Sequence, residues 1–441
     1  MRRSTAQWLA GHARARAITR GRNHFSTNAG AQVPVQCLPL TELVHQSRLH
    51  VQVGDNTRTN LLVIPTLNEN EFALKVFGDD SDARRAVNTD VFRLHSEETQ
   101  SGNVKVATVR LLKQDVTPAL GNMTVHLFVP HLIDLHLSVV NGNVQIRDKI
   151  EGDVHVAVGE GNVQVNKVRG EVVDLKTNNG RVDVSTLLEG ERVKMAASAV
   201  ICKRLMAGKS EIKLTRGDGT PKTSQFGAIY SPITLINSMA ARSRLHVGNS
   251  HGFLRVLGDD LTAVQIDSVN GSLHLEDSGP DCKVAVHFDA WQAEAENSIL
   301  VGGDVAVSIE PSAPVRVELH GRSIKASNCA FGLSELEQLD EDYAMLTGEV
   351  KAVDGSSGRL SSASSGKINV GSAKTDALRT SFFAKEAESN DTETDDSEAD
   401  GPASDQPRLL VHTSNGSVKL EQLDWMAKLK RKHLKAPRST A

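Results

Sequence analysis

Aromatic residues are scarce in this chain of 441 residues: they make up 4% of it, although hydrophobic residues reach 39%. A core of that composition has to be built from valine, leucine, isoleucine and alanine, and β-branched side chains pack well in regularly stacked strands. Proline is also rare, with 13 residues against 34 glycines. Many glycines with few prolines indicate frequent tight turns rather than long linkers.

The sequence also lacks the patterns of a metal or cofactor site. Its four cysteines, Cys37, Cys202, Cys282 and Cys329, lie far apart, with no C-x-x-C pair and no histidine at ligand spacing. This spacing favours four free thiols over two disulfides. A net charge of −4 argues against a nucleic-acid partner. No apolar run approaches the roughly 20 residues of a membrane-spanning helix, so we expect no transmembrane segment.

The N-terminal region contains no acidic residue before Glu42. It is rich in serine and threonine and carries six arginines: Arg2, Arg3, Arg14, Arg16, Arg20 and Arg22. Such a composition is typical of a mitochondrial transit peptide. We therefore predict a transit peptide over residues 1–30 and a location in the mitochondrial matrix. A cytoplasmic or secreted protein is the alternative.

Short units punctuated by glycine recur in the middle of the chain. From residue 139 the sequence reads VVNGNVQI, EGDVHV, EGNVQV, RGEVVDL, NNGRVDV and LEGERVKM. The predicted turn glycines follow each other at almost even spacing: Gly142, Gly152, Gly161, Gly170, Gly180 and Gly190. Alternation with a period of two places small apolar side chains on one strand face. The predicted core residues are Val144, Ile146, Val154, Val156, Val163, Val165, Val182 and Val184.

This spacing predicts an all-β fold, a right-handed parallel β-solenoid (β-helix) in which two units form one coil of about 19 residues. An antiparallel β-meander or sandwich is the alternative, because Asn-Gly turns also connect hairpins. The meander would leave a wide open sheet with a wet polar face and two edges to protect. The same punctuation returns in residues 269–275, 302–309, 364–370 and 414–420, which favours the solenoid.

Residues 123–184 resemble the bacterial adhesin-like domain family, a β-solenoid domain of unknown function. The family's lead-in segment matches Phe128-Val129-Pro130-His131-Leu132, and its G-x-V-x-V repeats match the turn glycines. The resemblance covers residues 123–275 and extends to about residue 375. With its arginine-rich start, the whole chain is similar to the eukaryotic mitochondrial relatives called family with sequence similarity 185. The resemblance implies the fold and no catalytic or binding residue.

The remaining segments differ in character from the repeat. We predict irregular β coils or a cap over 42–120, the adhesin-like solenoid over 121–380, and a disordered acidic insertion over 386–406. A final strand pair is expected over 407–423, followed by a basic C-terminal tail over 424–441. Two interpretations of this tail are a solvated segment and a weak contact with an anionic surface. For residues 332–346 the sequence leaves two alternatives, a short helix and a surface excursion.

The outward positions of the clearest coils do not predict an active site. Gln145, His155, Asn162, Gln164 and Asp183 are chemically too mixed to form one. The sequence therefore predicts no enzyme and no cofactor, but a non-catalytic β-solenoid scaffold or protein-interaction module with an unknown protein partner. The alternatives are a carbohydrate-binding adhesin and a polysaccharide-acting β-helix enzyme.

Overall fold

The computed structural model describes the chain over residues 36–39, 47–53, 57–66, 73–78, 92–101, 104–113, 120–292, 295–312, 314–340, 343–352 and 406–423. Regular structure within these ranges consists of β-strands alone. The all-β class is therefore confirmed. No helix within the same ranges is long and apolar enough to cross a lipid bilayer. The predicted transit peptide, most of the acidic insertion and the basic tail lie outside the described residues.

Seven strands precede the glycine-punctuated repeat. They are β1 (Gln36–Pro39), β2 (Arg48–Val53), β3 (Thr57–Thr66), β4 (Ala73–Gly78), β5 (Phe92–Ser101), β6 (Val104–Lys113) and β7 (Leu120–Pro130). Nine strands form the repeat itself. They are β8 (Asp134–Asn141), β9 (Val144–Glu151), β10 (Val154–Glu160), β11 (Val163–Thr177), β12 (Arg181–Ala197), β13 (Ala199–Leu214), β14 (Thr223–Ser238), β15 (Ser243–Gly258) and β16 (Leu261–Asp277).

Nine further strands follow the repeat. They are β17 (Lys283–Trp291), β18 (Glu296–Val301), β19 (Val305–Ile309), β20 (Val315–Gly321), β21 (Ser323–Ser327), β22 (Phe331–Asp340), β23 (Tyr343–Val350), β24 (Arg408–Thr413) and β25 (Ser417–Gln422). The last two contain the segment predicted as a final strand pair.

Parallel pairing between equivalent residues of successive coils defines the fold. Val154 of β10 lies between Leu135 of β8 and Val173 of β11, and both pairings run parallel through the neighbouring residues. One coil therefore comprises two of the glycine units, and successive coils stack on each other. This confirms the β-solenoid, and the antiparallel meander is wrong. The right-handed sense of the solenoid stays a prediction, and it agrees with the strong preference of parallel crossovers for that hand.

Each coil presents two main strand faces joined by a short corner. In β11, residues 163–165 pair with β9 and β12 on face B, residues 167–169 form the corner, and residues 173–176 pair with β10 and β12 on face A. The long strands β12 to β16 repeat this path, since each continues from face B through the corner to face A. A single coil is thus built from one bent strand and one turn.

The core between the faces is a stack of small aliphatic side chains. Leu135, Val154, Val173 and Val193 follow each other in register and are at most 1% exposed. Further along the same column, Ser210 and Thr234 replace the aliphatic residues and are equally buried. The Ser210 hydroxyl donates to Thr234 Oγ1 at 2.8 Å, so this polar pair satisfies itself inside the apolar stack.

The coils near each end of the stack do not follow chain order. Strand β2 lies between β6 and β8, and β3 lies between β7 and β9. At the other end, β24 lies between β18 and β20, and β25 lies between β19 and β21. The β2–β3 and β24–β25 coils, which we call the inserted coils, are therefore each held between two coils formed by other parts of the chain.

Antiparallel strands cover both ends of the stack. Strand β23 pairs with β20 and with β22, while β5 pairs with β6 and β4 pairs with β7. Residues 332–340 lie in β22 and residues 343–346 lie in β23, so the short helix is wrong over these residues. They are extended because β23 supplies the hydrogen bonds that an open strand edge at β20 requires, and β22 in turn pairs with β23.

The cysteines of the described side chains are free thiols. Cys202 and Cys282 are buried, and Cys329 is partly buried. Burial raises the pKa of both Cys202 and Cys282 to about 12. These two thiols are accordingly core residues rather than nucleophiles.

Candidate partner-binding surface

The six predicted turn glycines stack in two columns, one for each turn of the coil. A Cβ on Gly161 would lie 1.8 Å from the carbonyl oxygen of Gly142, and one on Gly180 would lie 1.7 Å from that of Gly161. The other column contains Gly152, Gly170 and Gly190, of which the last two sit inside β11 and β12 rather than in a tight turn. Close approach of the backbone of the next coil is therefore the main requirement for glycine.

The predicted core residues point into the stack. The eight side chains are between 0% and 2% exposed: Val144, Ile146, Val154, Val156, Val163, Val165, Val182 and Val184. Asparagines extend the regularity to the turns, since Asn143 Oδ1 accepts the backbone N–H of Asn162 at 2.9 Å and Asn162 Oδ1 accepts that of Arg181. Functional side chains therefore have to lie on the outer surface of the coils.

An imidazole ladder runs along the outside of face A. The rings of His50 and His136 stack at 4.5 Å with an angle of 1°, and the rings of His136 and His155 follow at 4.4 Å. Burial, together with the neighbouring His155, His50 and Arg48, lowers the pKa of His136 to about 4. The ring of His136 is therefore neutral at physiological pH, which lets the ladder stack without charge repulsion.

A shallow groove of about 240 Å³ lies beside the imidazole ladder. Four of its lining residues are in register on successive strands, in the order Gln52, Ser138, Ala157 and Lys176. The small side chains of Ser138 and Ala157 leave the space between the two longer ones. Polar and apolar groups both line the groove, which is small for a drug-sized ligand.

A second exposed feature lies further along the stack, at the corner between the two faces. Met206, Tyr230 and His251 follow each other in register on β13, β14 and β15. The rings of Tyr230 and His251 stack at 4.6 Å with an angle of 14°. Ile233 and Phe253 form the adjacent column on β14 and β15. We call these five residues the aromatic patch.

The aromatic patch is apolar and exposed. Met206, Tyr230 and Ile233 keep 38%, 40% and 42% of their surface in water. The chain contains only two tyrosines, and one of them lies here. Tyrosine and neighbouring apolar side chains are enriched at the energetic centres of protein interfaces. Of the two surfaces, the aromatic patch is therefore the better candidate for binding a protein.

Exposed cations border the aromatic patch. Arg204 precedes Met206 on β13, and Arg255 follows Phe253 on β15. Lys209 pairs in register with Ile233 and contacts Glu211 at 3.0 Å. A partner that fits this surface would place apolar side chains over the centre and carboxylates at the rim.

The sequence indicated neither surface. His136 and His155 are separated by one coil length, so aligning the units would have found half of the imidazole ladder. His50 belongs to an inserted coil and follows no such spacing. The aromatic patch crosses three coils of unequal length, and no period connects Met206, Tyr230 and His251.

Comparison with known proteins adds no argument about this chain. No protein-family model and no curated protein matches the chain. A solved structure of a proposed cell adhesion protein from Clostridium sporogenes aligns with 88% of this chain and 98% of its own length, at 7% identity and a TM-score of 0.19. A TM-score that low carries no argument about fold or function.

Proposed function

We propose that this protein is a non-catalytic β-solenoid scaffold of mitochondria that binds a protein partner through the aromatic patch. The observation that carries the proposal is the exposure of Met206, Tyr230 and Ile233 together on adjacent strands. Clustered exposed apolar side chains on an otherwise polar surface mark interaction sites. The arginine-rich, acid-free N-terminal sequence supports the mitochondrial address.

The rigid stack suits this role because it holds the patch residues at fixed spacing. Met206, Tyr230 and His251 extend from three parallel strands whose neighbouring residues Leu205, Ile229 and Ser250 are at most 1% exposed. Side chains held in this way lose little conformational freedom when a partner binds. The bordering Arg204 and Arg255 make a partner with apolar and acidic side chains the best fit.

Proximity labelling combined with a surface variant tests the partner proposal. Tyr230→Ser with Ile233→Thr removes the exposed apolar surface and leaves the buried positions unchanged. The recovery of a specific labelled protein should fall roughly tenfold or more, as expected for the loss of a central interface residue. Gln225→Ser, an exposed change on face B of the same strand β14, is the matched control and should leave recovery unchanged.

Two results would count against this function. If every labelled protein were recovered equally with the patch variant and with Gln225→Ser, the aromatic patch would not be the binding surface. If residues 1–41 left a fused fluorescent reporter diffuse in the cytosol, the mitochondrial part of the proposal would fail.

A further inference from the structure

Three potential metal ligands converge at the B-face corner near the C-terminal end of the stack. His287 of β17 is in register with Ser308 of β19, and the next pair along is Phe288 with Ile309. The backbone N–H of Glu310 donates to the carbonyl of Phe288 at 2.9 Å, which continues the pairing past β19. Asp289 and Glu310 therefore stand on neighbouring coils beside the same histidine.

The ligand atoms of these residues are close enough to share one ion. One nitrogen of His287 and one carboxylate oxygen each from Asp289 and Glu310 lie within 4.8 Å of one another. His287 Nε2 is 2.8 Å from Asp289 Oδ1, and the histidine side chain is only 6% exposed. The two carboxylates are partly exposed, so the cluster opens to solvent on one side.

Outer hydrogen bonds hold the three ligands in place. The Ser308 hydroxyl donates to the carbonyl of Val286 at 3.4 Å and lies 2.8 Å from His287 Nδ1. In the tautomer whose Nδ1–H donates to the Ser308 hydroxyl, the neutral ring presents its lone pair at Nε2. A hydrogen-bonded Nδ1 with a metal-facing Nε2 is the common arrangement of histidine ligands in metal sites.

The first carboxylate is oriented in the same way. Ser268 of β16 donates a short hydrogen bond to Asp289 Oδ2, and Asn270 Nδ2 donates to the Ser268 hydroxyl at 3.1 Å. These bonds leave Oδ1 of Asp289 turned towards His287. In that tautomer the nitrogen lone pair and two carboxylates converge on one point, an arrangement that a bound cation stabilises.

We propose that His287, Asp289 and Glu310 bind one divalent transition-metal ion, with Zn²⁺ as the best-fitting species. An imidazole with two carboxylates suits zinc, whereas calcium requires six to eight oxygen ligands and magnesium prefers an all-oxygen shell. Three protein ligands leave a position for water on the exposed side. The ion connects the coil of β17 to that of β19, and the site does not depend on the aromatic patch.

Another pair in the chain provides a matched control. His320 Nε2 lies 2.8 Å from Glu318 Oε1, and the His320 side chain is 9% exposed, so the distance and the burial of the histidine match those at His287. Within the described residues, however, only the His287 cluster brings three such ligands together. A Glu318→Gln variant therefore loses a histidine–carboxylate pair without losing the proposed site.

Metal content and calorimetry on the full, tag-free chain test the proposal. After loading with Zn²⁺ and dialysis, the unmodified protein should retain one equivalent at this site. The isosteric variants Asp289→Asn and Glu310→Gln should each weaken zinc binding at least tenfold, and Ser308→Ala roughly tenfold through loss of ligand orientation. Glu318→Gln and His136→Gln, which alter the control pair and the imidazole ladder, should leave this affinity unchanged.

The spectrum of Co²⁺ bound to the unmodified protein provides a readout that does not depend on the variants' folding. Visible absorption at one equivalent of Co²⁺, displaced by Zn²⁺, is the expected result. Retention of no stoichiometric ion would overturn the proposal and leave His287 and Asp289 as a hydrogen-bonded pair. Zinc affinity unchanged in Glu310→Gln would overturn it equally, as would loss of the ion in His136→Gln alone.

Discussion

The middle of the solenoid and its two ends stack in the same way but are connected differently. In the middle, the partners on neighbouring coils are close in sequence, as with Val154 of β10 and Val173 of the next strand, β11. At the C-terminal inserted coil, Val305 pairs with Val418, and the part of the chain that the structure describes has five other strands between β19 and β25. Both regions contain the same alternating valines and the same close glycines. The place of a coil in the stack is therefore determined by how its side chains pack on the neighbouring coils, and not by its position in the sequence.

The connectivity still affects how each region forms. A central coil closes a loop of one coil length, whereas the N-terminal inserted coil has to meet distant partners, as shown by Asn143 Nδ2 donating to Asn60 Oδ1. Loop-closure entropy rises only slowly with length, so the equilibrium penalty is modest. Distant contacts nevertheless slow folding, and the inserted coils are expected to assemble after the middle.

The largest effect is expected from a charge in the central core. Val163 is fully buried between Val144 and Val182, so Val163→Asp should reduce the free energy of unfolding by at least about 4 kcal/mol. Gln164→Asp, on the outward side of the same strand, should change it by less than about 1 kcal/mol. Chemical denaturation of both variants checks the difference, and equal losses would contradict the stacked core.

The same substitution in an inserted coil should act locally. Val411 is fully buried between Ile299 and Leu319, and Val411→Asp should expel β24 and β25 from the stack. In a stack of nearest-neighbour contacts, the coils beyond the lesion separate while the others persist. Hydrogen exchange should show lost protection over 315–350 and retained protection over 163–258. Uniform loss across both ranges would mean that the ends and the middle unfold as one unit.

Glycine substitutions test whether both regions obey one packing rule. Gly161→Ala would place a Cβ 1.8 Å from a carbonyl oxygen in the middle, and Gly416→Ala would place one 2.2 Å from Gly303 in the inserted coil. Each should cost on the order of 3 kcal/mol of unfolding free energy. Gly219 has a positive φ of 77° but no atom within 4 Å, so Gly219→Ala should cost only about 1 kcal/mol. Thermal and urea unfolding distinguish the two classes.

The smallest effect concerns the imidazole ladder, which joins the N-terminal inserted coil to the middle. The folded-state pKa of His136 is about 4 against 6.5 when unfolded, so between these values the unfolded chain binds more protons than the folded one. Stability should therefore fall as the pH decreases from 6.5 towards 4. The fall should be smaller in His136→Gln than in the unmodified protein, measured as Tm at pH values near the two ends of this range. A Gln145→Ser control on face B should keep the full pH dependence.

The regular part of the fold was predictable because one coil repeats one physical requirement. Glycine is required where the backbones of neighbouring coils approach closely, and alternating valines are required in the dry core. The positions of Gly161 and Val163 in the coil were therefore predictable from the sequence. The order of the end coils was not predictable from such signals. The strands β24 and β25 show the same sequence pattern as any other unit. A repeated pattern does not predict which two coils a given unit lies between.

The proposed metal cluster was missed for a related reason. The sequence predicted no metal site, because His287 and Asp289 do not match any ligand motif and Glu310 lies a full coil further along the chain. Coil stacking brings these residues together, and the coil lengths in this region are irregular. The pairing register of β17 and β19 therefore had to be known before the cluster could be recognised.

Disulfide trapping of paired cysteines tests the inserted-coil arrangement most directly. On face B, Lys419 of β25 lies in register between Ala306 of β19 and Lys325 of β21. Cysteine pairs at 306 and 419 and at 419 and 325 should oxidise readily, because neighbouring strands are about 4.8 Å apart. The pair at 306 and 325, two strand spacings apart, should not. Rapid crosslinking of 306 with 325, and none to 419, would show that the coils follow chain order and would contradict the account.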